Sequence, residues 1–129
     1  MVNPSEDDLR LYGARLYGRR EQAVMLQWAN FSSVGWLPRP NECHRNVTEV
    51  CEHDESYSPV RGWLYFDFGG LLAGVKFVAH SALRSPNGIL YDITPARASQ
   101  QYPFIVAEEP EAEYASLVES GVTQLWHVK

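Results

Sequence analysis

The chain has 129 residues, of which 45% are hydrophobic, 12% aromatic and 21% charged, as in an ordinary globular protein. This length predicts a single domain, residues 1–129, whose core needs neither a metal nor a disulfide for stability. The formal net charge is −5 and the basic residues are scattered, which argues against the clustered cations of a nucleic-acid-binding surface, so we expect no nucleic-acid partner.

The hydropathy pattern predicts no membrane partner, because no apolar run reaches the roughly 18 residues that a membrane-spanning helix needs. The first ten residues, MVNPSEDDLR, lack the charged-then-apolar pattern of a signal peptide, so we expect a cytoplasmic protein. A disulfide between Cys43 and Cys51 is not expected in that reducing compartment, and both thiols are predicted to be free.

The first predicted element is a helix over residues 7–20, where apolar side chains recur at helical spacing between charges. Residues 23–31 are apolar-rich and are compatible with either an extension of that helix or a strand. Glycine and prolines in residues 32–40 then predict a loop.

A second helix is predicted over residues 42–53, with Asn41 as its N-cap and Glu42 in its first turn. Its apolar residues recur at helical spacing: Val47, Val50 and Cys51. Cys43 therefore falls in the first turn of a helix.

Three strands are predicted next, over residues 60–68, 75–84 and 89–94, because these runs are rich in Val, Phe, Tyr and Trp and bounded by turn residues. A helix over residues 110–120 and a last strand over residues 122–128 follow. The pattern predicts an α+β fold, in which the helix that carries Cys43 packs on an antiparallel sheet of about four to six strands.

The turn Ser-Pro-Asn-Gly after residue 84 fixes the pairing of two of these strands. Its residues are typical of a type I turn closed by a left-handed glycine, which gives a three-residue loop, Pro86 to Gly88. In that register Ala82 faces Asp92, so His80 and Asp92 lie on the same face of neighbouring strands, close enough for their side chains to meet.

Cys43, His80 and Asp92 together suit thiol-nucleophile chemistry. A helix N-terminus lowers the pKa of a thiol, a histidine can accept and return its proton, and an aspartate can orient that histidine. The helix N–H groups would donate to an oxyanion, with the side chain of Gln27 or Asn41 as a possible second donor.

In these residues the chain resembles the papain-like cysteine enzymes, above all their transglutaminase-like branch. The resemblance covers residues 41–95 and is carried by four segments: NECHRNV, VRGW, FVAHSAL and NGILYDITP. It implies a helix that begins at the catalytic Cys43, packed on an antiparallel sheet that supplies His80 and then Asp92. Two positions depart from the family's usual pattern: His44 follows the cysteine, and Ala82 stands where a tryptophan is common.

The predicted function is therefore thiol-dependent acyl transfer on an amide or ester, as in a peptidase, a deamidase or a transglutaminase. Its partner would be a peptide, protein or small amide or ester substrate, and the mechanism needs no cofactor. Two alternatives stay open: a noncatalytic binding domain that keeps the same fold, and a small zinc-binding domain. The zinc ligands would come from Cys43, His44, Cys51 and His53.

Overall fold

The computed structural model describes residues 4–30, 38–40, 42–68, 74–95 and 102–128. Within them the fold is α+β. The elements, in chain order, are α1 (Glu6–Gly18), a 3₁₀ turn (Arg20–Gln22), β1 (Val24–Met25), β2 (Gln27–Trp28), α2 (Cys43–His53), β3 (Ser58–Asp67), β4 (Gly74–Arg84), β5 (Leu90–Asp92), β6 (Pro103–Val106), α3 (Glu111–Glu119) and β7 (Gln124–Val128). None of the helices in these ranges is long and apolar enough to cross a membrane.

Helix α1 begins with a complete capping box. The side chain of Ser5 accepts from the backbone N–H of Asp8, and the carboxylate of Asp8 accepts from the backbone N–H of Ser5. These two bonds satisfy donors that a helix N-terminus otherwise leaves unpaired. The buried side chain of Leu16 then anchors α1 to the core.

The strands form one mostly antiparallel sheet, in the order β1-β6-β3-β4-β5-β2, and β7 pairs with β4. Only Leu26 separates β1 from β2, so the two ends of the sheet approach each other and the sheet is nearly closed. Our expectation of four to six antiparallel strands was wrong in two respects: there are seven strands in the described residues, and β2 pairs with β5 in parallel. Two-residue strands such as β1 and β2 are too short to show a strand periodicity in sequence.

Three apolar clusters form the core, and two of them attach the helices to the sheet. Helices α1 and α3 cover a cluster centred on Trp63 and Phe77, which includes Tyr114 of α3. A second cluster joins Leu26 to residues of β3, β4 and β6. The third cluster attaches α2 to β4 and to the segment after β5, through Val47, Val50, Leu83 and Ile93. This third cluster determines where the first residue of α2 lies.

Strands β3 and β4 pair without a bulge, and His80 lies opposite Gly62 while Ser81 lies opposite Arg61. A Cβ atom at Gly62 would come within 2.2 Å of the carbonyl oxygen of Ile105 and 2.7 Å of the Phe104 ring. The absence of a side chain at Gly62 is what lets β6 approach β3 this closely next to His80.

Candidate active site

Cys43 is the first residue of α2, and the N-cap position is occupied by Glu42, whose side chain makes no capping hydrogen bond. This corrects our expectation that Asn41 would be the N-cap and Glu42 part of the first turn. Asn41 itself lies outside the described residues. The helix begins later than predicted because the carbonyl of Glu42 accepts the first intrahelical bond, from the N–H of Asn46, over 2.8 Å.

The hairpin between β4 and β5 has the predicted register. Gly88 adopts a φ of 87° and donates its N–H to the carbonyl of Ser85, and Ser85 donates to the carbonyl of Ile89, both over 2.9 Å. Leu83 then pairs with Tyr91. The three-residue loop and the pairing derived from it are thus confirmed.

This register brings His80 and Asp92 into contact, since Nε2 of His80 lies 3.2 Å from Oδ1 of Asp92. The same carboxylate oxygen accepts the backbone N–H of Thr94 over 3.1 Å, which fixes its orientation. His80 is 8% exposed, so water competes little for its ring nitrogens. With Nε2 occupied by Asp92, the nitrogen that His80 can offer to another group is Nδ1.

That other group is the partly buried thiol of Cys43, which lies close enough to His80 and to His44 for both imidazoles to act on its ionisation. Burial by itself raises the pKa of the thiol, but hydrogen bonds with His44 and His80 and the charge of His80 outweigh burial and lower the pKa to about 6. Burial by itself lowers the pKa of His80, but hydrogen bonds with Asp92 and Cys43 raise it to about 9. Between these two values the pair exists as thiolate and imidazolium.

Among the described residues, no strand pairs with this edge of β4 between Val78 and Leu83, and the N-terminus of α2 reaches His80 there. Strand β7 pairs with β4 up to Val78, and β5 pairs with it from Leu83 onward. His80 and Ser81 are consecutive residues of a strand, so their side chains leave opposite faces of the sheet. Because Cys43 contacts His80 and His44 contacts Ser81, the start of α2 must lie at this edge, from which both faces are accessible.

A second polar network adjoins the thiol, and sequence reasoning did not anticipate it. Nδ1 of His44 lies 2.5 Å from Oγ of Ser81, and the Arg61 guanidinium donates to the same oxygen over 2.8 Å. Arg61 is in turn paired with the carboxylate of Glu111 on α3, with a shortest separation of 2.9 Å. The only hint in the sequence is that His44 directly follows the cysteine.

The two predicted oxyanion donors are not both placed by the structure. Gln27 lies on β2 opposite Tyr91 and is exposed, whereas its neighbour Trp28 lies opposite Asp92. Strand alternation therefore directs Trp28, not Gln27, to the face that carries the Asp92 carboxylate. Asn41 is not among the described residues. The clearest oxyanion donors are therefore the first backbone N–H groups of α2, beginning with that of Cys43, because these groups have no acceptor within the helix.

The four residues of the zinc alternative do not converge. Cys43 and His44 begin α2, while Cys51 and His53 lie in its last turn. His53 is instead near Glu49, with 3.9 Å between Nε2 and a carboxylate oxygen. Among the residues that the structure describes, no group of three His, Cys, Asp or Glu side chains is placed to hold a metal ion.

The chain matches no family model, no curated protein and no solved structure. The resemblance to papain-like enzymes therefore depends on the segments quoted above. What the site can do follows from the contacts among Cys43, His80 and Asp92.

Proposed function

We propose that the protein is a thiol-dependent acyl-transfer enzyme acting on amides or esters, with Cys43 as nucleophile, His80 as proton carrier and Asp92 as the group that orients His80. The observation that carries this proposal is the pair formed by Nε2 of His80 and Oδ1 of Asp92, 3.2 Å apart, next to a thiol whose pKa the interaction with His80 helps to lower to about 6. A nucleophile, a base and an orienting carboxylate in hydrogen-bonding reach are the arrangement that thiol catalysis requires.

In the first half of the reaction the Cys43 thiolate attacks the substrate carbonyl carbon and forms a C–S bond. The carbonyl electrons move to oxygen, and the N–H groups at the start of α2 donate to that oxyanion. When the oxyanion collapses, the bond to the amine or alcohol breaks. The leaving group takes a proton from Nδ1 of His80, and a thioester remains on Cys43.

In the second half, water or an amine attacks the thioester carbonyl and gives its proton to His80. The C–S bond then breaks and restores the Cys43 thiolate beside the imidazolium. Attack by water corresponds to a peptidase or deamidase, and attack by an amine corresponds to a transglutaminase. Asp92 holds His80 in one orientation through both halves, because its Oδ1 is itself fixed by the N–H of Thr94.

The fold that accompanies this proposal is a papain-like or transglutaminase-like core. Three features support it: a helix beginning at the cysteine, a strand carrying His80, and a neighbouring antiparallel strand carrying Asp92. The order of these elements along the chain is the one that the resemblance implies.

The test is the pH dependence of iodoacetamide alkylation, followed by mass spectrometry separately at Cys43 and Cys51. We expect a midpoint near pH 6 for Cys43, since its pKa is lowered to about 6. Cys51 is an internal control, because burial raises its pKa. In His80→Ala the Cys43 midpoint should rise by about one to two pH units, the effect of losing a charge-assisted hydrogen bond.

A second measurement concerns the acyl-enzyme itself. Incubation with a p-nitrophenyl ester at pH 7 should release a burst of one nitrophenolate per chain and leave an acyl group on Cys43, detectable by intact mass. Cys43→Ser is the matched control and should show neither. Equal alkylation midpoints at Cys43 and Cys51, with no acyl adduct, would overturn the enzyme proposal in favour of a noncatalytic binding domain of the same fold.

A further inference from the structure

Arg61 lies where α2, α3 and the sheet meet. It belongs to β3 and pairs with Ser81 of β4, the residue that directly follows His80. Its side chain is 15% exposed and points to the face of the sheet that α1 and α3 cover, because Trp63, two residues further along β3, belongs to the apolar cluster beneath those helices. At this position the guanidinium reaches both α2 and α3.

Three hydrogen bonds of Arg61 join α2 to the sheet. One terminal nitrogen donates to Oγ of Ser81 over 2.8 Å and to the carbonyl of His44 over 3.4 Å. The other terminal nitrogen donates to the hydroxyl of Thr48, one turn further along α2, over 3.2 Å. That hydroxyl in turn donates to the carbonyl of His44 over 2.9 Å. A single side chain thus binds the first two turns of α2 and strand β4.

Glu111 keeps the guanidinium in this orientation. Nε and the second terminal nitrogen of Arg61 lie 3.0 and 2.9 Å from one carboxylate oxygen of Glu111, the first residue of α3. Helix α3 is itself attached here, because the hydroxyl of Tyr114 donates to the carbonyl of Gly62 over 2.7 Å. The Tyr114 ring also packs edge-on against His44, with 5.8 Å between centroids. Lysine is no substitute for Arg61, because a single ammonium cannot span partners in three directions.

The first turn of α2 depends on such restraints because its N-cap supplies none. Glu42 makes no capping hydrogen bond with its side chain, and helix ends fray readily. The apolar anchors of α2 begin only at Val47. Within the first turn, Asn46 binds the hydroxyl of Thr94 over 3.1 Å. Arg61 supplies the restraint toward β4.

The reacting groups adjoin this network along the chain. Cys43 directly precedes His44 in α2. His80 directly precedes Ser81 in β4. Nδ1 of His44 lies 2.5 Å from Oγ of Ser81, so the neighbours of the two reacting residues are bonded to each other, and Arg61 donates to both. A shift of the first turn away from β4 would therefore move the thiol away from His80.

We propose that Arg61 is a positioning residue of the reaction: it holds the first turn of α2 against β4 and so keeps the sulfur of Cys43 at His80. This inference rests on the proposed function. Each nitrogen of Arg61 has a partner within the protein, so its effect on the reaction passes through α2. Loss of Arg61 should therefore lower kcat far more than it changes KM, because a displacement of about 1 Å between reacting groups can slow a reaction about 100-fold.

The experiment compares Arg61→Lys with Arg19→Lys, for which the chain offers a close match. Arg19 is 20% exposed, binds the carboxylate of Glu108 over 2.8 Å and donates to the carbonyl of Val106 over 2.9 Å. It therefore makes the same kinds of bond as Arg61, but makes none of them to α2. Steady-state hydrolysis of a p-nitrophenyl ester gives kcat and KM for both variants, and urea denaturation gives their stability.

Amide hydrogen exchange measures the first turn of α2 directly, at the N–H of Asn46, which donates to the carbonyl of Glu42 over 2.8 Å. In Arg61→Lys we expect this exchange to be about tenfold faster, the effect of losing hydrogen bonds to a charged group. We expect kcat to fall about tenfold to 100-fold, with KM changed less than about twofold. The alkylation midpoint of Cys43 should rise toward that of an ordinary thiol. Arg19→Lys should leave all three at their wild-type values, even where it lowers the urea midpoint equally.

The outcomes separate this inference from the proposed function. Wild-type exchange and kcat in Arg61→Lys would overturn the inference, even where His80→Ala confirms the triad. Equal losses of kcat in Arg61→Lys and Arg19→Lys would also overturn it, because the effect would then follow general stability. Absence of a nitrophenolate burst from the wild-type chain would instead refute the proposed function.

A milder variant serves where Arg61→Lys does not fold. Glu111→Ala leaves the guanidinium in place but removes the carboxylate that orients it. Exchange at Asn46 should then be about threefold faster, and kcat should be lower by a similar factor, because a partly exposed ion pair is lost. Wild-type values of both in Glu111→Ala would show that the orientation of Arg61 does not matter to α2, and the inference would be wrong.

Discussion

Replacement of Asp92 by asparagine tests the ion pair at the centre of the site. Oδ1 of Asp92 lies 3.2 Å from Nε2 of His80, and the two side chains are 28% and 10% exposed, so solvent screens their interaction little. Asparagine can still accept hydrogen bonds but carries no charge. Because a hydrogen bond to a charged partner contributes about 1 to 2 kcal/mol more than a neutral one, the pKa of His80 should fall by about 0.7 to 1.5 pH units.

The assay is a titration of the His80 ring followed by NMR on protein labelled at histidine Cε1, with its signal assigned by its loss in His80→Gln. The wild-type midpoint should be near pH 9, and that of Asp92→Asn should lie between roughly pH 7.5 and 8.3. Asp54→Asn, at an exposed carboxylate that accepts two hydrogen bonds from Ser56, is the matched control. A His80 midpoint in Asp92→Asn equal to that of the wild type would refute the idea that Asp92 holds the imidazolium.

Three further predictions follow from the same contacts. The rate of turnover of an uncharged ester, plotted against pH, should be bell-shaped: it should rise near pH 6 as Cys43 ionises and fall near pH 9 as His80 loses its proton. A rate that rises steadily to pH 10 would contradict the ion pair. Gly62→Ala should lower the free energy of unfolding by about 1 to 3 kcal/mol in urea denaturation, because its Cβ would lie 2.2 Å from a backbone oxygen. Gly18→Ala is the control: the space around Gly18 is open, so this change should stabilise α1 by up to about 1 kcal/mol. Asn46→Ala should lower the free energy of unfolding by about 2 to 3 kcal/mol in the same assay, because Asn46 is 2% exposed and its side-chain amide makes three hydrogen bonds. An unchanged urea midpoint would show that other groups replace these bonds.

The part of the site that the sequence predicts well is the part that local rules determine. The Ser-Pro-Asn-Gly turn sets the loop length, the loop length sets the strand register, and the register places His80 beside Asp92. The helix over residues 42–53 follows from apolar spacing, and the strands after it follow from their Val-, Phe-, Tyr- and Trp-rich composition between turn residues. Strand β6, in contrast, is four residues long and begins with a proline, so neither length nor composition distinguishes it from a loop.

The polar network around His44 is beyond sequence reasoning for a different reason. Its partners come from elements distant in the chain, Ser81 on β4 and Arg61 on β3, and they meet only because α2 begins at the open edge of β4. Nothing in the local pattern distinguishes a histidine so placed from a metal ligand or an exposed residue. Knowledge of the β3–β4 register, which pairs Arg61 with Ser81, is the minimum needed to suspect the network.

The contrast between the N-termini of α1 and α2 has a consequence for how position 42 can change. Helix α1 closes its N-terminus with Ser5 and Asp8, while the side chain of Glu42, the N-cap residue of α2, makes no capping hydrogen bond. A serine or aspartate cap would stabilise α2 by about 1 kcal/mol, yet it would occupy N–H groups that the proposed reaction directs at the substrate oxygen. If the proposed function holds, selection for thermal stability and selection for catalysis should favour different residues at position 42, and a variant stabilised there should turn over substrate more slowly.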